Sequence, residues 1–151
     1  MTFRYLALIC GLASVAGGAW AHDGGHGPKL TDTPTKGGVV SPVIDKKSIK
    51  KGSKAEVIYK AELVRAEDGK VSVFLYDSSM KLLDLSRFGS KADAKVEVKI
   101  KKKFSETPFS LSASGESFTG QMPTPKKKPY NIDVTLKEGE RQLLAAFDNL
   151  D

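Results

Sequence analysis

Apolar and polar residues alternate in short runs from Lys54 onward, and turn residues separate these runs. Such alternation puts every second side chain on the same face of an extended strand, and it is typical of half-buried β-strands. No helical period persists long enough to compete with it. One run shows the pattern clearly, because its apolar residues alternate with charged ones: Ala94, Val96, Val98 and Ile100. The chain is therefore expected to be all-β, with about seven or eight short strands.

Short strands of this number build either a sandwich or a small barrel. We expect a single antiparallel β-sandwich of the Ig-like kind, with one contiguous core of Val, Leu, Ile, Phe and Tyr. This domain is assigned to residues 53–151. Residues 71–76 are apolar on both faces, which predicts a central strand.

The first predicted hairpin turns at Asp68-Gly69. This dipeptide favours a two-residue loop, because both residues can adopt a positive φ. Such a loop would place Leu63 opposite Phe74 and Val64 opposite Val73. Apolar side chains would then face apolar side chains across the pair, which stabilises a register.

The last predicted hairpin turns at Glu138-Gly139. A two-residue loop there would place Val134 opposite Leu143. A three-residue loop would place Val134 opposite Gln142. Hydrophobic pairing favours the first arrangement.

Residues 1–21 have the three-part form of a secretory signal peptide. Arg4 supplies the positive start, residues 6–19 form an apolar run, and Ala19-Trp20-Ala21 provides small residues for the peptidase. We predict cleavage between Ala21 and His22 and a periplasmic or secreted location. An uncleaved anchor is the alternative, and it is disfavoured because the run is short and broken by glycines.

Composition narrows the class of function. The chain carries 24 Lys and Arg against 18 Asp and Glu, a net charge of +6, and a single Cys, which leaves with the signal peptide. A disulfide framework, a Cys-based zinc site and an iron–sulfur cluster are therefore excluded. Both histidines precede the predicted domain, so neither a Ser-His-Asp triad nor a rigid copper-oxidase site can form in it. A non-enzymatic protein is expected, and a paired-carboxylate hydrolase is the remaining catalytic alternative.

The mature N-terminus offers candidate metal ligands. After cleavage, the α-amine and imidazole of His22 can chelate one ion, His26 can add a second imidazole, and Asp23 can add a carboxylate. These donors suit Cu(II), Ni(II) or Zn(II). Their affinity should fall as the pH drops, because the amine must lose its proton to bind. The alternative is a solvated tail that happens to contain two histidines.

Lysines occur in runs along this basic protein: Lys46-Lys47, Lys50-Lys51, Lys101-Lys102-Lys103 and Lys126-Lys127-Lys128. Outside the cytoplasm, their candidate partners are lipid head groups, cell-wall polymers and acidic proteins. Solvated loops that keep the protein soluble are the alternative. No nucleic-acid partner is expected, because the chain is exported and lacks RNA-binding and zinc-finger signatures.

Residues 22–52 are rich in Gly, Pro, Thr and Lys and are predicted to form a flexible leader, within which Gly38-Val39-Val40 is a candidate first short strand. Five stretches of the chain carry a resemblance to a known group of proteins: residues 22–26, 37–40, 61–64, 69–77 and 130–147. The chain resembles small exported bacterial β-sandwich proteins that have a His-containing N-terminal tail and are associated with heavy-metal efflux systems. This resemblance implies a β-sandwich, with His22 and His26 as ligands.

Together these features predict an exported, non-enzymatic binding or accessory protein in metal homeostasis. It would bind a divalent transition metal weakly at its mature N-terminus and act beside a metal-efflux or other envelope protein. The alternative function is that of a structural or envelope-interaction protein, whose lysine-rich surface contacts anionic partners. No transmembrane segment is expected after cleavage.

Overall fold

The computed structural model describes residues 32–49 and 55–151. The strands within these ranges are β1 (Val39–Asp45), β2 (Val57–Arg65), β3 (Lys70–Tyr76), β4 (Lys91–Ile100), β5 (Lys103–Ser114), β6 (Ser117–Gln121), β7 (Tyr130–Glu138) and β8 (Arg141–Leu150). The single-turn helix α1 (Lys46–Ile49) follows β1, and a 3₁₀ helix (Leu85–Phe88) precedes β4. Neither of the helices in the described ranges has the length and apolar character needed to cross a membrane.

The eight strands close into one antiparallel barrel in the order β1-β2-β3-β6-β5-β4-β7-β8. Closure is made by β1, which pairs with β2 on one side and with β8 on the other, where Val43 lies opposite Ala145. The prediction of an Ig-like sandwich is therefore wrong. Both architectures bury one face of each strand, so the alternation is the same in both. The difference lies in whether the first strand pairs with the last, which local alternation does not reveal.

Alternate side chains of every strand point into the barrel and form one contiguous hydrophobic core. Its largest fully buried members include Phe118, Phe147, Leu111 and Ile132. The 3₁₀ helix adds Phe88 at one end of the barrel. The interior is thus packed with side chains, as small eight-stranded barrels commonly are.

The β2–β3 hairpin has a different register from the predicted one. Leu63 lies opposite Val73, not Phe74. The amide of Ala66 donates to the carbonyl of Lys70, which leaves a three-residue loop that ends at Gly69 with φ +82°. Three-residue loops commonly close with a residue in this left-handed conformation, and glycine adopts it without steric cost. The Asp-Gly dipeptide does mark the turn, but the loop has three residues instead of two.

The β7–β8 hairpin also differs from both predicted arrangements. Glu138 lies opposite Arg141, so the two loop residues are Gly139 and Glu140. Gly139 takes φ +57° at the first loop position. Glycine at that position is typical of a two-residue hairpin turn. Val134 consequently lies opposite Ala145, and apolar residues still face each other across the pair.

Strand β1 lies within the range that the sequence assigns to the leader, and it is an integral member of the barrel. The preceding residues 35–38 cross the outer face of β2. At Gly38 this crossing is so close that an added Cβ would lie 2.2 Å from the carbonyl oxygen of Leu63. Only glycine permits this approach, which fixes where the segment meets the barrel.

Candidate functional site

The predicted metal ligands His22, Asp23 and His26 lie outside the described residues. Within residues 32–49 and 55–151, no three or more His, Cys, Asp or Glu side chains are grouped so that they could hold a metal ion. Metal binding at the mature N-terminus by Cu(II), Ni(II) or Zn(II) stays a prediction.

Titration of the chain that begins at His22 with Cu(II) is expected to reveal one site, because an α-amine and two imidazoles can converge on one ion. His22→Ala should abolish this site, since it removes one imidazole and alters the chelate ring. Isothermal titration calorimetry measures both. Lys29→Ala is a control, because it changes the same stretch of chain without removing a candidate ligand. Equal binding by His22→Ala and the unsubstituted protein would contradict the prediction.

Two lysine triads lie at the same end of the barrel. Strand β4 runs to this end, and the turn that joins it to β5, together with the first residue of β5, carries the first triad. Strand β7 is antiparallel to β4 and pairs with it, so β7 begins at this same end, one residue after the second triad. We name this end the lysine end and define it by six exposed residues: Lys101, Lys102, Lys103, Lys126, Lys127 and Lys128. The sequence shows both runs, but only the strand pairing brings them to neighbouring positions.

The β4–β5 hairpin projects beyond its neighbours at the lysine end. The pairing of β7 with β4 stops at Glu97, and the pairing of β6 with β5 involves only Ser112, Ala113 and Ser114. The outermost pairs, Lys99 with Phe104 and Ile100 with Lys103, therefore belong to a two-stranded ribbon. The tip of this ribbon is therefore exposed on more than one side.

The tip of this hairpin also carries exposed apolar side chains. Phe104 is 59% exposed and Ile100 is 41% exposed, the two highest values for large hydrophobic residues among those described. The alternating pattern predicted Ile100 on the buried face, but β4 extends past the packed core at this residue. A local signal was nevertheless present, because the two apolar residues directly flank the lysine triad in the sequence.

The carboxylates nearest the base of the hairpin are engaged with one lysine. The ammonium of Lys95 lies 3.5 Å from Glu97, 3.4 Å from Asp133 and within hydrogen-bonding distance of Glu106. Partial burial opposes the charge of Lys95, but the bond to Glu106 and the carboxylate charges raise its pKa. The hydrogen bond from Lys95 lowers the pKa of Glu106. In the described part of the chain, no salt bridge involves any of the six lysines of the lysine end.

A groove of about 610 Å³ lies at the same end of the barrel, between the β2–β3 turn and the loop before β7. Arg65 donates from one nitrogen to the Tyr130 hydroxyl at 2.6 Å and to the Asp151 carbonyl at 2.8 Å. The groove walls carry both Asp68 and Lys128. This mixture of charges does not select a ligand of either sign.

A cluster of polar side chains lies at the opposite end of the barrel. The Tyr59 hydroxyl and the Arg87 guanidinium both donate to Glu138, each at 2.8 Å. Arg141 lies 3.6 Å from the other oxygen of Glu138. Burial and the bond to Glu138 raise the pKa of Tyr59, which keeps its hydroxyl protonated. Two guanidinium groups thus lie beside the carboxylate, and the arrangement joins the barrel wall to the 3₁₀ helix.

Glu62 lies between Ala61 and Leu63, whose side chains face the core, so strand alternation would place its carboxylate in solvent, and the side chain does point out of the barrel. Its side chain is nevertheless fully buried, because residues 35–38 cover it. It accepts hydrogen bonds from the amides of Thr35, Lys36 and Gly38 at 2.8 to 2.9 Å. This carboxylate fastens the segment before β1 to the barrel wall.

No family model, curated protein or solved structure matches this chain. The resemblance to exported proteins of heavy-metal efflux systems therefore stays a prediction.

Proposed function

We propose that this is an exported, non-enzymatic binding protein, and that its lysine end contacts anionic partners in the cell envelope. The observation that carries the proposal is the convergence of two lysine triads at one end of the barrel, without salt bridges to the described residues. Six like charges at one end create a positive field that attracts anions and orients their approach. Three nearby carboxylates share Lys95 further down the hairpin, which leaves two negative charges there, fewer than the six positive charges of the lysine end.

The backbone of Lys101 supports the same proposal. It adopts φ +58° in the turn between β4 and β5. This left-handed conformation costs a residue with a side chain about 1 kcal/mol relative to glycine. A lysine therefore occupies a position where the backbone favours glycine, as expected if its charge is needed at the tip.

Charge reversal at the tip is expected to weaken binding to an anionic polymer by more than about tenfold. A lysine near an anionic surface contributes about 1 kcal/mol, and each reversal replaces this attraction with repulsion. The variant is Lys101→Glu/Lys102→Glu, and the probe is inorganic polyphosphate at low ionic strength. Binding is measured by isothermal titration calorimetry and repeated at rising salt, which should weaken it.

The matched control is Lys46→Glu/Lys47→Glu, which changes the net charge equally in helix α1 at the opposite end. At an ionic strength of about 0.1 M, where the screening length is about 10 Å, this control should bind polyphosphate within about twofold of the unsubstituted protein, because helix α1 and the tip lie at opposite ends of the barrel. Equal losses in both variants would show an effect of net charge alone and would refute the proposal. Absence of binding at low salt would refute it as well.

A further inference from the structure

We infer that the anionic partner is a phospholipid surface, and that the β4–β5 hairpin enters its headgroup layer tip first, with Phe104 and Ile100 at the boundary of the acyl chains. This inference rests on the proposed function and names the partner of the same site. The lysine triads attract the anionic surface at a distance. The two apolar side chains supply apolar surface that the lipid layer buries.

The distribution of exposed apolar side chains supports a lipid partner. Large hydrophobic residues that are exposed singly are ordinary on protein surfaces. Here the two most exposed ones in the described ranges, Phe104 and Ile100, lie at the same tip and flank a lysine triad. A soluble anionic polymer offers no apolar phase for these side chains. An anionic membrane offers both a negative surface and a hydrocarbon layer beneath it, and interfacial binding grows with both terms.

The geometry of the hairpin favours entry along its long axis. Phe104 lies opposite Lys99, whereas Ile100 lies opposite Lys103 in the next pair. Neighbouring pairs project to opposite faces of a two-stranded ribbon, so the two apolar side chains lie on opposite faces. A flat protein surface laid against one face would bury only one of them. A fluid layer that surrounds the tip buries both.

The dimensions also agree with shallow insertion. Two residue pairs and the turn span about 7 to 10 Å at 3.3 Å per residue, and interfacial segments bury their apolar groups to about 5 to 10 Å. At this depth the open backbone edges of the ribbon remain among hydrated head groups. The ammonium of Lys99 lies 5.7 Å from the centre of the Phe104 ring, close enough to the tip to reach a lipid phosphate. The aliphatic stem of Lys103 can lie beside Ile100 while its ammonium group reaches another phosphate.

A tryptophan at the tip reports on insertion. Trp20 is the one tryptophan of the chain, so Trp20→Phe combined with Phe104→Trp creates a single reporter. The protein is recovered after export and its N-terminal mass is measured, so that residues 6–19 are known to be absent. With vesicles of mixed phosphatidylglycerol and phosphatidylcholine, the emission should move to shorter wavelength and brominated lipid should quench it. Pure phosphatidylcholine vesicles should produce neither change.

The matched control places the reporter at Ile49, an exposed apolar residue that also lies beside lysines but at the opposite end. Ile49→Trp in the same Trp20→Phe background should show no shift and no quenching by brominated lipid. Equal responses from both reporters would indicate adsorption without orientation and would overturn the inference.

Removal of the apolar tip separates this inference from the proposed function. Ile100→Ser/Phe104→Ser should weaken binding to phosphatidylglycerol vesicles about tenfold or more, because each buried side chain contributes the transfer free energy of its apolar surface. The same variant should bind polyphosphate unchanged, since its lysines remain. If it binds vesicles as tightly as the unsubstituted protein, the lipid inference fails while the proposed function stands. If the charge-reversed variant keeps its affinity for polyphosphate, the proposed function itself fails.

Discussion

Replacement of Glu62 by Gln is expected to lower the free energy of unfolding by about 3 kcal/mol. The carboxylate accepts hydrogen bonds from three backbone amides of residues 35–38 and from the hydroxyls of Thr35 and Tyr76. Burial raises the pKa of Tyr76, so its hydroxyl stays protonated and donates. Gln has the same size but turns one accepting oxygen into a donor, which leaves buried amides without an acceptor. The free energy is measured by urea denaturation.

Glu106→Gln is the matched control for this prediction. Glu106 also points outward from a strand, but its side chain is 53% exposed and forms a salt bridge with Lys95. Exposed ion pairs contribute at most about 1 kcal/mol, so the control should remain below that value. A loss of stability in Glu62→Gln no larger than in this control would show that the covering segment contributes little to the fold.

The pH dependence of stability provides a second test at Glu62. Burial would raise the pKa of this carboxyl, but the hydrogen bonds from Gly38, Lys36 and Thr35 outweigh burial and lower it below the ordinary 4.5. A depressed folded-state pKa means that the stabilisation is fully present above 4.5 and is lost as the pH falls through the folded-state value. Glu62→Gln should therefore lose less stability than the unsubstituted protein over that acidic window. Parallel curves would contradict the assignment.

Substitution of Gly38 by Ala is expected to destabilise the barrel by about 3 kcal/mol. An added Cβ would lie 2.2 Å from the carbonyl oxygen of Leu63 and 3.0 Å from a methyl group of Val64. The nearest obstacle is backbone, which cannot rotate aside as a side chain can. The segment would have to move off β2, and the amide of Gly38 would lose its bond to Glu62. Thermal or urea denaturation measures the change.

The neighbouring glycine separates steric clash from backbone preference. Gly37 has φ +78°, and a Cβ added there would meet nothing within 4 Å. Gly37→Ala should therefore cost only about 1 kcal/mol, the penalty of a left-handed conformation. A Gly38→Ala variant no less stable than Gly37→Ala would show that the segment can lift from β2 at little cost.

The hairpins show which parts of the fold could be predicted from the chain. Alternation identified the strands on both sides of each turn, because the period of two is a property of neighbouring residues. Register depends on loop length, and Gly69 and Gly139 occupy different positions in their loops. Both registers were predicted wrongly, since a Gly-containing dipeptide is compatible with more than one loop.

The candidate site, like the hairpins, could be predicted from the sequence only in part. The two lysine triads were evident in the sequence, as were the apolar residues beside the first of them. Their meeting at one end follows from the pairing of β4 with β7, which are separated by two strands and a long loop in the chain. The burial of Glu62 depends on residues 24 to 27 positions earlier, so a strand pattern read locally placed this carboxylate in solvent.

Alternation and composition by themselves determined that this protein is all-β, basic and, within its predicted domain, without histidine or cysteine. Only the tertiary structure decided that β1 closes a barrel against β8, that Glu62 is covered, and that six lysines share one end. The reason is the range of the interactions. Side-chain periodicity is set by adjacent residues, whereas closure, burial and charge clustering arise from hydrogen bonds and packing between segments far apart in the chain.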